Sequence, residues 1–208
     1  MKKIIFIMLL CGQMFSQNFE FDLMTHYGVK VEQMNNDNLI YSNSKNPTYF
    51  LMVRGYKDFK EAKLLDIKNS VTHQFAVEQT SDKGQVFFSF KYLDSTPFQP
   101  QGSFLAHDFT IDEIEQDSLT KTFKVTFYKN AKRKKQVMSQ TIVAKKHHSN
   151  LFPLYRVACL HPFEIFSKLN MPENYIVLGG NGTTFQGGQV QTKLLSSHDI
   201  QLNLTVPD

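Results

Sequence analysis

One cysteine and one histidine stand close enough in the sequence to suggest nucleophilic catalysis. Cys159 lies two residues before His161, and in an extended segment that spacing puts both side chains on one side. A cysteine nucleophile needs a neighbouring base that takes its proton. Cys159 is flanked by apolar residues, however, where a free cysteine usually serves as inert packing. We therefore favour packing, and keep Cys159 and His161 as the candidate catalytic pair.

The seven histidines form no pattern that predicts a metal site. Zinc sites show signatures such as His-Glu-x-x-His, or paired Cys and His residues at ligand spacing, and the sequence contains neither. His147 and His148 are adjacent, so on a strand they would point to opposite faces. We predict no bound metal and no cofactor.

A glycine-rich stretch, GGNGTTFQGG at residues 179–188, invites comparison with phosphate-binding loops. Such a loop needs Lys and Ser or Thr after its glycines and a helix behind them, and neither follows here. Phe185 also interrupts the G-x-G-x-x-G spacing. We predict a hairpin loop in which Phe185 forms an apolar tip that borders a ligand opening.

Basic residues gather at the tip of another predicted hairpin. Lysines at a hairpin tip usually keep a protein soluble and prevent pairing of strand edges, so a solvated loop is the preferred interpretation. Contact with a membrane or a polyanion is the alternative. The candidate ligand-binding residues are therefore Phe185 and the basic residues Lys132, Arg133, Lys134 and Lys135.

Strands are the elements that must position these residues, and the clearest pattern lies between Lys121 and Ala144. There apolar residues alternate with polar ones, which is typical of a strand buried on one face. The end of the chain repeats this alternation. We expect Phe123, Val125 and Phe127 to point into the same core as Ile200, Leu202 and Leu204.

Turn signals recur roughly every 8–12 residues, a rhythm typical of all-β domains. The asparagine-rich run at 35–38 is predicted to be one such turn. Residues 109–115 are predicted as a strand, with a helix at 112–119 as the alternative. The fold class is thus mainly β, an antiparallel meander of about ten strands that forms a curved sheet, a barrel or a sandwich.

One short helix is predicted at 162–169. Pro162 suits a first helical turn, the apolar residues that follow are spaced three or four apart, and Pro172 stops the helix. The preceding apolar run at 151–155 contains Pro153, which argues against a central strand.

The first residues predict export. Lys2 and Lys3 precede an apolar run, and a small residue at Ser16 offers a cleavage site, so residues 1–16 are predicted to be a cleaved signal peptide. Lipidation of Cys11 is the alternative. Residues 17–208 then form a single β-rich domain without a transmembrane span, located in the periplasm or secreted.

The composition of the chain excludes few functions, and the clearest of these is binding of nucleic acid. Without the two lysines of the signal, the 23 basic and 19 acidic residues become 21 and 19, a net charge of +2, which gives no general attraction to a polyanion. Only Cys159 remains, so the domain depends on its core rather than on disulfides. Nineteen phenylalanines supply that core.

These observations leave three functional hypotheses. The first is a non-enzymatic envelope or secreted protein whose sheet binds a hydrophobic small molecule or an envelope protein partner. The second is an exported hydrolase whose site is assembled from distant strands. The third is a structural or adhesive module. No catalytic motif is present to favour the second.

Overall fold

A computed structural model of the chain describes residues 16–55, 61–82, 85–98, 107–165 and 168–207. The predicted signal peptide, with Cys11, lies outside these ranges except for Ser16. Within them, no helix has the length and apolar character needed to cross a membrane.

The described residues form eleven strands and one short helix, which confirms the prediction of a mainly β chain. The strands are β1 (Gln17–Val31), β2 (Met34–Asn43), β3 (Asn46–Gly55), β4 (Glu61–Asp66), β5 (Val71–Asp82), β6 (Gln85–Pro97), β7 (Asp108–Gln116), β8 (Thr120–Tyr128), β9 (Gln136–Lys146), β10 (Tyr175–Thr183) and β11 (Gln189–Val206). The helix α1 spans Phe152–Cys159.

All strands belong to one antiparallel sheet in the order β6-β5-β4-β3-β2-β1-β11-β10-β9-β8-β7. The sheet is open, with β6 and β7 as its edges, so of the three predicted arrangements the protein adopts the curved sheet. The two longest strands, β1 and β11, pair along their whole length from Gln17↔Val206 to Val31↔Val190. They join a half made of β2–β6 to a half made of β7–β10.

The sheet carries two separate hydrophobic cores. On β2 and β3 successive side chains point to opposite faces, and both faces are buried. One core, here called the helix-side core, contacts α1 and includes Tyr27, Ile40, Phe127, Ile142 and Tyr155. The other, here called the second core, includes Phe21, Tyr41, Leu51, Leu64 and Phe75.

The expectation of one shared core is therefore wrong, although the predicted register of β8 is correct. Phe123, Val125 and Phe127 are buried, but in the helix-side core. Leu204 belongs to the second core, against which Ile200 and Leu202 pack. The reason lies in β11, which has one residue more than β1 between the pairs Phe21↔Leu202 and Leu23↔Asp199, because such a bulge bends a strand and turns its two ends toward different surroundings.

In the described part of the chain the helix lies at Phe152–Cys159, and residues 162–165 and 168–169 of the predicted helix are not helical. Pro153 occupies the first turn of α1, where its missing N–H costs no hydrogen bond. The helix is buried on nearly every side against β1, β2, β3 and β10, so it lacks the polar face that makes a helix recognisable. Residues 162–165 form turns instead.

Two other predicted boundaries change, and one alternative is settled. Residues 35–38 are part of β2, because Glu32, with φ of 53°, makes the turn three residues earlier. Residues 108–116 form β7, as predicted, rather than a helix. The first half of the glycine-rich stretch is strand, since β10 extends to Thr183, and residues 184–188 form the loop.

Candidate functional site

A cavity of about 450 Å³ lies beside the C-terminal end of α1. The β1–β2 turn and the β10–β11 loop meet at this end of the sheet, where the backbone N–H of Glu32 donates to the carbonyl of Gln189 at 3.1 Å. The volume of the cavity falls in the range of small-molecule sites. Apolar side chains form much of the lining: Val29, Val31, Met34, Met138, Ala158, Phe185 and Val190.

The polar part of the lining caps the end of α1. The last carbonyls of a helix have no partner within it. Asn38 donates from Nδ2 to the Ala158 carbonyl at 2.6 Å, and Gln140 donates from Nε2 to the Cys159 carbonyl at 3.4 Å. Two carboxamides from β2 and β9 thus hold the helix against the sheet and stand inside the cavity.

The two carboxamides differ in how their oxygens are used. Gln140 Oε1 accepts from the hydroxyl of Tyr155 at 2.7 Å, and that hydroxyl lies 3.0 Å from Thr192 Oγ1. Asn38 is 5% exposed, and its Oδ1 is a buried acceptor without a hydrogen-bond partner in the described part of the chain. Such an acceptor is costly to leave unpaired, which marks Asn38 as a candidate ligand contact.

A charged group stands at the rim of the cavity. Glu164 Oε1 lies 2.6 Å from His161 Nδ1 and 3.3 Å from an amino nitrogen of Arg54. The hydrogen bond to Glu164 raises the pKa of His161. Burial alone would raise the pKa of Glu164, but its hydrogen bond to His161 and the nearby positive charges lower it. Arg54 keeps about half of its side chain exposed.

The candidate catalytic pair shares this cavity but not a hydrogen bond. Cys159 is buried deep against Tyr27 and Tyr155, and burial raises the pKa of its thiol. His161 is largely exposed, and its Nδ1 faces Glu164 rather than the sulfur. α1 ends at Cys159, so the chain does not keep the extended geometry that would align residues 159 and 161. The arrangement therefore supplies no activated nucleophile.

Phe185 lies in the cavity wall. Its ring packs edge-to-face on Phe163, with ring centroids 6.1 Å apart, and on His107 at 5.7 Å. Phe163 in turn stacks on Phe127 at 4.0 Å. The loop that carries Phe185 turns at Gly187, whose φ of 91° suits glycine. The predicted apolar tip thus borders an opening, and aromatic contacts fix its position.

The basic tip is outside the cavity lining. Lys132, Lys134 and Lys135 are exposed on the β8–β9 loop. Arg133 forms an ion pair with Asp108, 2.6 Å from Nε to Oδ2, and this pairing raises the pKa of Arg133 and lowers that of Asp108. This loop is at the same end of the sheet as the cavity, because β9 begins two residues before Met138.

A larger hollow of about 610 Å³ lies near the other end of α1, lined in part by His147, His148 and His198. The ring of His147 is already engaged by the backbone of Ser149. The buried unpartnered polar atoms of the described residues include none from this hollow. Across the described ranges, no group of three or more His, Cys, Asp or Glu residues could hold a metal ion.

Asn38 and Gln140 are two of the site residues that the sequence did not identify. Asn38 stands in an asparagine-rich run that resembles a turn, and Gln140 in an unremarkable polar position of a strand. Neither gives a signal until the fold sets both against the helix end.

Comparison with known proteins adds no family. The sequence matches no protein-family model and no curated protein.

Proposed function

We propose that the protein is a non-enzymatic, exported binding protein that holds a small, largely apolar molecule in the cavity beside the end of α1. The observation that supports this proposal is the combination of an apolar lining with a buried unpartnered acceptor, Asn38 Oδ1. Ligand sites typically combine apolar walls with a few fixed polar groups.

The chemistry of the site favours binding over hydrolysis. The Cys159 thiol is buried with a raised pKa, which disfavours the thiolate that a nucleophile requires. His161 is bonded to Glu164, and no hydrogen bond joins it to Cys159 within the described residues. Export is supported by the sequence of residues 1–16 alone.

The test is direct measurement of ligand uptake by the chain without residues 1–16. Native mass spectrometry before and after extraction with organic solvent reveals any co-purified molecule. Titration of the extracted protein with 1-N-phenylnaphthylamine, a neutral apolar fluorophore, is expected to saturate at one probe per chain.

A matched pair of variants locates the uptake. Val31→Phe fills the cavity and is expected to weaken probe binding, whereas Ile114→Phe, at an exposed position on β7, leaves it unchanged. A chain that carries no molecule and takes up no probe contradicts the proposal. If that chain also self-associates through its sheet edges, the structural or adhesive hypothesis is favoured.

A further inference from the structure

We propose that the ligand of this cavity is an acyl-type amphiphile whose carboxylate binds Arg54 and whose neighbouring N–H or O–H group donates to Asn38. This inference rests on the proposed function, because it concerns the same cavity and specifies the chemistry of its occupant.

Arg54 and Asn38 are direct neighbours on the sheet. Asn38 pairs with Arg54 across β2 and β3, and with Tyr27 across β1 and β2. Directly opposed residues point to the same face with Cβ atoms about 5 Å apart. The three side chains therefore form a row that passes from the buried Tyr27, through the nearly buried Asn38, to the half-exposed Arg54.

Arg54 suits an anionic group. A guanidinium carries five N–H donors in a planar fork that matches a carboxylate. One amino group of Arg54 contacts Glu164 at 3.3 Å, and the side chain remains 46% exposed, so donors remain for a second anion. His161 also lies against Glu164, so one carboxylate is shared by two basic groups and does not repel an incoming anion.

Asn38 suits a donor placed next to that anion. Its Nδ2 is committed to the Ala158 carbonyl, which fixes the orientation of the carboxamide and leaves Oδ1 as an acceptor. An acceptor cannot bind the carboxylate itself. It selects instead an amide N–H or a hydroxyl a few atoms from the carboxylate, as in an N-acyl amino acid or a hydroxy acid.

The remaining wall suits an apolar chain. Val29, Met138 and Val190 are buried and line the cavity, and the Phe185 ring closes one side. The cavity thus places the polar side chains of Asn38 and Arg54 beside an apolar wall. This arrangement matches an amphiphile, whose polar head group is joined to an apolar chain.

A set of three matched ligands tests the proposal by isothermal titration calorimetry on the extracted protein. N-dodecanoylglycine contains both groups, O-dodecanoylglycolate replaces the N–H with an ester oxygen, and the methyl ester of N-dodecanoylglycine lacks the carboxylate. We expect the first to bind about tenfold more tightly than either of the others, as the loss of one hydrogen bond to a buried or charged group implies.

Two variants assign the carboxylate preference. Arg54→Gln is expected to bind N-dodecanoylglycine and its methyl ester equally, whereas Lys193→Gln, at an exposed position outside this cavity, keeps the preference. Equal affinity of the wild-type protein for all three ligands overturns this proposal. If the neutral fluorophore still binds in that case, the proposed function stands without it; if nothing binds, both fail.

Discussion

Arg156 carries a positive charge into the interior beside the end of α1. Its Nε donates to the Glu164 carbonyl at 3.0 Å and one amino group donates to the Leu169 carbonyl at 2.7 Å. Burial lowers its pKa to about 10, so it stays charged at neutral pH. One side chain thus fixes the segment that follows the helix, including the acid that orients His161.

We predict that Arg156→Met lowers the free energy of unfolding by about 3 kcal/mol, because two backbone carbonyls lose charge-assisted hydrogen bonds. Arg156→Lys, which keeps the charge but cannot span both carbonyls as a planar fork, should lose less. Urea unfolding followed by circular dichroism measures both. An unchanged midpoint for Arg156→Met would show that these carbonyls find other partners.

The ion pair between His161 and Glu164 predicts a pH-dependent contribution to stability. The raised pKa of His161 means that this contribution is fully present below the ordinary histidine value of 6.5 and is lost as pH rises through the raised value. Because the pKa of Glu164 is lowered from its ordinary value of 4.5, the Glu164 carboxylate is ionised at both pH 5.5 and pH 8.5. His161→Gln should therefore destabilise the protein more at pH 5.5 than at pH 8.5.

The size of this effect is less than about 1 kcal/mol, because the histidine side chain is largely exposed to solvent. Urea midpoints of the wild type and of His161→Gln at the two pH values measure it. Glu164→Gln is the matched control and should remove the difference. Equal effects of His161→Gln at both pH values would contradict the assignment.

At the scale of elements, β10 shows why its glycines are needed. A Cβ at Gly180 would stand 2.5 Å from the Thr141 backbone oxygen, and one at Gly182 would overlap the Ser139 backbone oxygen. The glycines therefore let β10 approach β9 closely, a structural use of a stretch that resembles a phosphate loop in the sequence.

We predict that Gly182→Ala lowers the free energy of unfolding by about 2 kcal/mol, because the added methyl group must push β9 away. Asn181→Ala, at the exposed neighbouring position, should change it by less than about 0.5 kcal/mol. Thermal and urea unfolding compare the two. Similar changes in the free energy of unfolding for both substitutions would mean that β9 can move to accommodate the methyl group without destabilising the protein.

The elements differ in how well the sequence predicts them. Strands with one polar face, such as β8, are recognised by the alternation of apolar and polar residues, even though Thr126 on that face is buried in the fold. Helix α1 is buried on nearly all sides, so its periodicity is hidden, and Pro153 could be taken as a barrier. The cavity was beyond prediction for a similar reason, since the contact of Asn38 with Ala158 spans 120 residues.

At the scale of the whole molecule, β1 and β11 couple the two cores. Leu23 and Tyr27 belong to the helix-side core, and Phe21 on the same strand belongs to the second core. A loss of packing in either core therefore disturbs a strand that the other core needs.

We predict that Phe127→Ala and Phe75→Ala, one in each core, each lower the free energy of unfolding by about 3–4 kcal/mol. In both variants the whole protein should still unfold in one common transition. Far-ultraviolet circular dichroism and the fluorescence of the eight tyrosines, undisturbed by tryptophan, should report coincident curves. Two separated transitions would show that the halves unfold independently.

The pairing of Gln17 with Val206 also sets the order in which the sheet is completed as the chain emerges, whether from the ribosome or from the export channel. The central pair of strands cannot form until the residues of β11 have emerged, and before then β1 has only β2 beside it. Partners so distant along the chain favour slow, late folding. A nascent chain that ends at β10 would expose the edges of β1 and β10 to water, and would remain open to capture by a chaperone until its last strand arrives.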